Sequence, residues 1–157
     1  MIITAHYKKF VRGFTLIELL IVIAILGILA AAVLVAVNPA KRQNQAKDSN
    51  TKADIGSIAT ALQAYYTSSG GTYPSAAEGL NQLVTNQDLK NLPTTPQGGA
   101  YTYTVTPGGC AGTPVSACTD VAVSNALLDP AIAGNVWCFR SLTGRAAETT
   151  VAACTAP

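Results

Sequence analysis

Residues 12–31 read RGFTLIELLIVIAILGILAA, and the apolar run continues without a charge to Val37. From Leu19 to Val37 no side chain carries a charge or a strong hydrogen-bonding group. A run of about 18 such residues is long enough to cross a bilayer as a helix. One carboxylate, Glu18, stands at its entry. An acid deep in a bilayer is costly and usually has a partner or a function. The plain alternative is that Glu18 snorkels to the interface, about one helical turn away.

Two ordinary readings of this segment fall short. A secretory signal peptide has a basic start, roughly 7–15 apolar residues and a small-x-small cleavage site. Lys8, Lys9 and Arg12 supply the basic start and Ala30 to Ala32 imitate the site, but the apolar run is too long. A plain single-pass anchor fits the length and leaves Glu18 without a purpose.

The unbroken stretch from Arg12 to Ala31 resembles the N-terminus of type IV pilins and of the pseudopilins of type II secretion systems. The shared pattern is a short basic leader ending in Gly, then Phe-Thr-Leu-Ile-Glu, then a long apolar run. The resemblance implies that a prepilin peptidase cuts between Gly13 and Phe14, and that the new Phe14 amine is methylated. It also implies that Glu18 attracts the Phe14 amine of a neighbouring subunit during assembly. The implied partners are copies of this chain or related pilins, the peptidase/methyltransferase, an inner-membrane assembly platform, and membrane lipid before assembly. Physics agrees with the role of Glu18. A carboxylate and an ammonium in an apolar core attract strongly, and either left alone pays desolvation. Such a pair works mainly as a register device.

Composition says where the chain is not polar. Of 157 residues, 49% are hydrophobic and only 11% charged, and the N-terminal run accounts for much of that imbalance. The formal charge of +2 is unevenly placed. From Ile55 onward three bases face five acids, so the C-terminal part is mildly acidic and lacks the basic face of a nucleic-acid binder. Lys8, Lys9 and Arg12 before the run are matched by Lys41, Arg42 and Lys47 after it, so the positive-inside count is a tie. The cysteines break the tie. Cys110, Cys118, Cys138 and Cys154 all follow the apolar run, and an even number there points to two disulfides outside the cytoplasm. Zinc is the rival, but the cysteines lack the close-spaced pairs of structural zinc sites and no histidine follows Lys8.

Beyond the run, Asn38-Pro39 is a break signal, since proline removes a backbone donor and clashes one turn back. Helical periodicity nevertheless resumes. Ile55, Ile58, Ala59, Leu62, Tyr65 and Tyr66 form an amphipathic stripe, while residues 40–53 are polar and read as exposed helix. The expectation is one long kinked helix from about Thr15 to Tyr66, extending roughly 75 Å at 1.5 Å per residue. Ser75 and Glu78 form a capping-box pattern that predicts a short helix over 75–84. Strands are predicted over 100–106, 120–128 and 135–142. Trp137 and Phe139 then share the face turned to the helix, and Cys138 points the other way, towards a C-terminal segment that crosses to it. Four cysteines allow three pairings. The favoured one joins Cys110 to Cys118 and Cys138 to Cys154.

The aromatic residues read as core rather than as a ligand groove. Asp120 and Asp129 resemble in placement the calcium-site acids of some major pseudopilins. Two isolated acids, however, fall short of the six or more oxygen ligands calcium takes, so no metal and no cofactor is assigned. Nothing in the chain suggests catalysis: there is no G-x-S-x-G, phosphate loop or close carboxylate pair. The expected fold is α+β, a long N-terminal helix packed on a small antiparallel sheet. The expected organisation is a leader (1–13), an assembly helix (14–37), an amphipathic stem (38–69) and a disulfide-containing head (70–157). The expected function is that of a filament subunit, held in the cytoplasmic membrane before assembly and then part of a pilus or pseudopilus. The alternative is a membrane-anchored extracytoplasmic binding module that does not polymerise.

Overall fold

The computed structural model describes residues 13–155; the basic leader residues Lys8, Lys9 and Arg12 lie outside them. The first helix, α1, spans Leu16–Val37 and buries no residue. At 1.5 Å per residue its 22 residues extend roughly 33 Å, enough to cross a bilayer by length and composition. A helix apolar on every side belongs in a surrounding that is apolar on every side.

The chain divides into two compact units, the first ending at Pro39 and the second starting at Ala40. The break is one residue wide. Asn38 caps α1 in the left-handed conformation, at φ 43°. Pro39 then opens α2, Pro39–Ser68. A residue before proline is pushed out of the helical region, and proline itself suits the first helical position, where no N–H bond is needed. The helical signal therefore resumes as predicted, but Asn38 divides it into two helices where one kinked helix was expected.

In the second unit a short helix, α3 (Asn81–Thr85), follows α2. Then come four strands, β1 (Thr102–Thr106), β2 (Asp120–Ala126), β3 (Val136–Arg140) and β4 (Arg145–Thr149), and a last short helix, α4 (Val151–Thr155). The strands form an antiparallel meander in the order β1-β2-β3-β4. Pairing runs from Thr106 opposite Asp120 at one end of the first ladder to Thr102 opposite Ser124 at the other.

The core lies on one face of this sheet. Ile55, Ile58, Leu62 and Tyr65 of α2 meet Val121 and Val123 of β2, Phe139 of β3, and Leu83 of α3. A smaller cluster on the other face holds Ala122, Val136, Cys138 and Cys154. The period of 2 along β3 sends Phe139 and Trp137 to the helix side and Cys138 to the far side. Trp137 is only half-buried, and the Lys52 ammonium sits 4.7 Å from its ring centroid.

Two expectations need correction here. The capping box at Ser75 and Glu78 forms, with Ser75 N–H donating to Glu78 Oε2 at 3.0 Å and Glu78 N–H to Ser75 Oγ at 3.3 Å. It closes a turn, however, and the helix starts only at Asn81. Gly79, at φ +59°, cannot continue a right-handed helix. The polar stretch 40–53 is also not simply exposed, because Asp48 and Thr51 are buried.

Candidate functional site

Gly13, Phe14 and Glu18 lie together at the start of α1. Thr15 is the N-cap, and Glu18 is the third helical residue. Thr15 N–H donates to Glu18 Oε2 at 2.8 Å, and the Thr15 hydroxyl donates to the same oxygen at 2.7 Å. In return Glu18 N–H donates to Thr15 Oγ1 at 3.3 Å. This is a reciprocal capping box, which satisfies two backbone donors that a helix start leaves open. Glu18 thus has a local role that its charge alone did not reveal. Both bonds that the carboxylate accepts use Oε2.

The residues around the box are free of tertiary support. Phe14 is 81% exposed. A Cβ at Gly13 would meet nothing within 4 Å. Among the described residues, then, nothing crowds a side chain at residue 13.

The head holds the other predicted site residues. Cys110 pairs with Cys118 across Cα atoms 5.3 Å apart, and Cys138 pairs with Cys154 across 5.9 Å. The first bridge sits in the helix-side core and staples the loop between β1 and β2. The second ties α4 to the far face of the sheet.

Asp120 opens β2, Asp129 lies in the β2–β3 loop, and the two serve different partners. Arg140 Nη2 donates to Asp120 Oδ2 at 2.7 Å, Leu142 N–H donates to Oδ1 at 2.9 Å, and the Ser141 hydroxyl also donates to Oδ1. Burial pushes this carboxyl up, but the bonds from Ser141, Arg140 and Leu142 outweigh it and hold it below the usual aspartate range. Asp129 accepts from Gln45 Nε2 at 2.9 Å and stands 4.0 Å from Lys41 Nζ. Among the described residues no group of three or more His, Cys, Asp or Glu is placed to hold a metal ion.

The anchors that sequence reading missed are polar side chains of the head unit. Asp48, on α2, accepts the N–H groups of Leu128 and Asp129, each at 2.8 Å. Glu148, on β4, accepts from Ile132 N–H at 3.1 Å and Asn135 Nδ2 at 3.2 Å. Between them they hold the β2–β3 loop from two sides. The Ile132 amide is the main cause that keeps the Glu148 carboxyl below its ordinary range. Tyr101 and Tyr103 extend the pattern. Tyr101 donates its hydroxyl to Asp54 Oδ2 at 2.6 Å, and Tyr103 donates to the Pro74 carbonyl at 2.7 Å. Burial is the first cause that raises both phenols. Periodicity placed these tyrosines in the core, but it carries no information about where their hydroxyls go.

Comparison with known proteins covers both parts of the chain. Residues 8–34 match the prokaryotic N-terminal methylation motif, and residues 38–113 match the family model for type II secretion system protein G. The type II secretion system core protein G of Pseudomonas aeruginosa is 43% identical, over 58% of this chain and 71% of its own length. The proteins of the same name from Klebsiella michiganensis and Vibrio cholerae are each 36% identical, over 75% and 71% of their lengths. No solved structure matches the chain. With identity above a third across nearly three quarters of such relatives, the chain belongs to the type II secretion system core protein G family.

Proposed function

We propose that the chain is a structural subunit of a type II secretion pseudopilus, made as a precursor, cut after Gly13, N-methylated at Phe14 and assembled through α1. The observation that carries this reading is the start of α1. An exposed Gly13-Phe14 pair precedes a Thr15–Glu18 box at the head of a helix that buries nothing in its own chain. Such a helix is marginal in water and needs lipid first and other helices later. Prepilin peptidase supplies a demand for glycine at residue 13, where nothing among the described residues crowds a side chain. Glu18 caps its own helix through Oε2, and the same carboxylate attracts the Phe14 ammonium of the next subunit, so a wrong stagger leaves two charges unpaired in an apolar core. Before assembly α1 is held in the cytoplasmic membrane with the head on the periplasmic side. The disulfides fit that side. The chain is a substrate of the peptidase and is assigned no catalysis of its own.

Mass spectrometry of the mature N-terminus tests the reading. The expected result is a chain starting at methylated Phe14. An intact Met1, or a start beyond residue 30, overturns it. Recovery of the chain from isolated pseudopili is the second expected result.

A further inference from the structure

The loop between β1 and β2 carries more order than a connection needs. Its Cys110–Cys118 bridge closes a tight turn at Thr113–Ser116. Ser116 N–H donates to the Thr113 carbonyl at 3.0 Å, and Ala111 N–H donates to the Ser116 carbonyl at 3.1 Å. The base of the loop is docked on the head. A Cβ at Gly112 would lie 3.0 Å from Ser75 N and 3.1 Å from Glu78 Oε2, so any side chain there is crowded as well as strained at φ +69°. Cys118 N–H donates to Thr72 Oγ1 at 2.9 Å, and Tyr73 N–H donates to the Cys118 carbonyl at 3.0 Å. At the apex of this fixed turn stands Val115, 98% exposed. A braced apolar tip loses little freedom when it is buried by a partner, which is the physical meaning of preorganisation.

The far face of the same sheet carries a shallow groove of about 320 Å³, in the region of α4. Cys138, Ala147, Thr149 and Ala153 line it, with Arg140 and Arg145 among its charged residues. Arg140 is engaged by Asp120. Arg145 is exposed and makes no ion pair among the described residues. The tip and the groove differ in place as well as in shape. The tip joins β1 to β2, whereas the groove lies across β3 and β4.

We infer that Pro114 and Val115 of one subunit seat in this groove on a second copy of the chain, with Glu78 of the first facing Arg145 of the second. Charge supports that occupant. The loop from Cys110 to Cys118 has no charge, and the Glu78 carboxylate stands at its base, 3.1 Å from where a Cβ at Gly112 would lie. The groove answers with an apolar floor and the Arg145 guanidinium. Symmetry supports it too. Two different patches of one chain meeting each other make a heterologous contact, which does not close as a two-fold dimer and repeats into an open helical filament where its rotation closes no ring. The inference rests on the filament-subunit reading and adds a head-to-head contact to the one made by α1.

The test places the photo-crosslinker benzoylphenylalanine at residue 115 of the full chain in cells that assemble pseudopili. The expected product joins residue 115 of one copy to the 138–153 segment of another. Crosslinking to a different surface, to another protein, or to nothing overturns the inference. Charge reversal gives an independent arm. Glu78→Arg and Arg145→Glu should each lower filament incorporation about tenfold, and their combination should recover most of it. Failure of the pair to recover counts against the contact. Because Glu78 also holds Ser75, Val115→Asp is the cleaner single variant: it should keep both disulfides and lower incorporation about tenfold. If Val115→Asp assembles normally, the contact is wrong while the filament reading stands. If the wild-type chain enters no filament, both fall.

Discussion

Thr15 and Glu18 hold each other reciprocally at the start of α1: Thr15 N–H donates to the Glu18 carboxylate at 2.8 Å, and Glu18 N–H to the Thr15 hydroxyl oxygen at 3.3 Å. The carboxylate that looked out of place in an apolar segment completes the end of its helix. Capping and charge are nevertheless separable properties of this side chain. Glutamine can take the third position of a capping box as glutamate does, but it carries no charge.

Glu18→Gln therefore divides the two roles. It should be cut after Gly13 and begin its helix normally, yet enter pseudopili as poorly as Glu18→Ala. N-terminal mass spectrometry and the fraction of chain in sheared filaments provide the readouts. Normal incorporation of the glutamine variant means that capping matters and the charge does not.

Asp48 ties α2 to the β2–β3 loop through two amides, and its residue is only 4% exposed. Removing a buried acceptor leaves donors unsatisfied, at about 1–3 kcal/mol for each. Asp48→Ala should lower head stability by about 3 kcal/mol, and Asp48→Asn, which keeps one acceptor oxygen, by about half of that. Urea denaturation of the two variants checks the ranking. Wild-type stability for Asp48→Ala means that the loop stays in place without the clasp.

The elements that pack by period were readable, and those held by polar contacts were not. The stripe from Ile55 to Tyr65 and the alternation in β1 and β3 repeat at 3.6 and 2 residues, and the core follows both. The segment Arg145–Thr149 has no such alternation, since Ala146 and Ala147 are small on both faces, so β4 was not anticipated. Its remaining cue was Gly144, whose φ of +62° turns the chain back after β3. Asp48 was hidden for a different reason. Its partners are backbone amides 80 and 81 residues away, and no side-chain pattern marks them. At the candidate site, Gly13, Phe14 and Glu18 stood out in the sequence because the motif that holds them is local. The helix break at Asn38 turned on one residue's backbone conformation, which composition does not fix.

Asp120 gives the head an acid-sensitive contribution. Its native carboxyl is held below the ordinary aspartate range by Ser141, Arg140 and Leu142, despite burial. A depressed native pKa means that the unfolded state binds the proton more readily. The stabilisation is therefore present above the unfolded pKa of about 3.9 and is lost as the pH falls through the lower native value. Melting temperature measured from pH 6 down to pH 2 should fall less steeply for Asp120→Asn than for wild type, from a lower starting point at pH 6. Parallel acid profiles for the two proteins rule out this residue as a source of the slope.

The two disulfides should differ in what they stabilise. Each removes loop entropy from the unfolded chain, by about 2.5 kcal/mol for the separation of 8 and about 3 kcal/mol for the separation of 16. The Cys138–Cys154 bridge also holds α4 against the far face of the sheet, where the buried cluster around it is small. Cys138→Ser with Cys154→Ser should thus cost about 3 kcal/mol and release α4 to rapid amide exchange, with the helix-side core left protected. Cys110→Ser with Cys118→Ser should cost slightly less, because the shorter loop is also held by the Tyr73, Thr72 and Ala111 hydrogen bonds. Hydrogen exchange on each double variant provides the comparison. Protected amides across Val151–Thr155 in the first variant mean that backbone contacts, rather than the bridge, keep α4 in place.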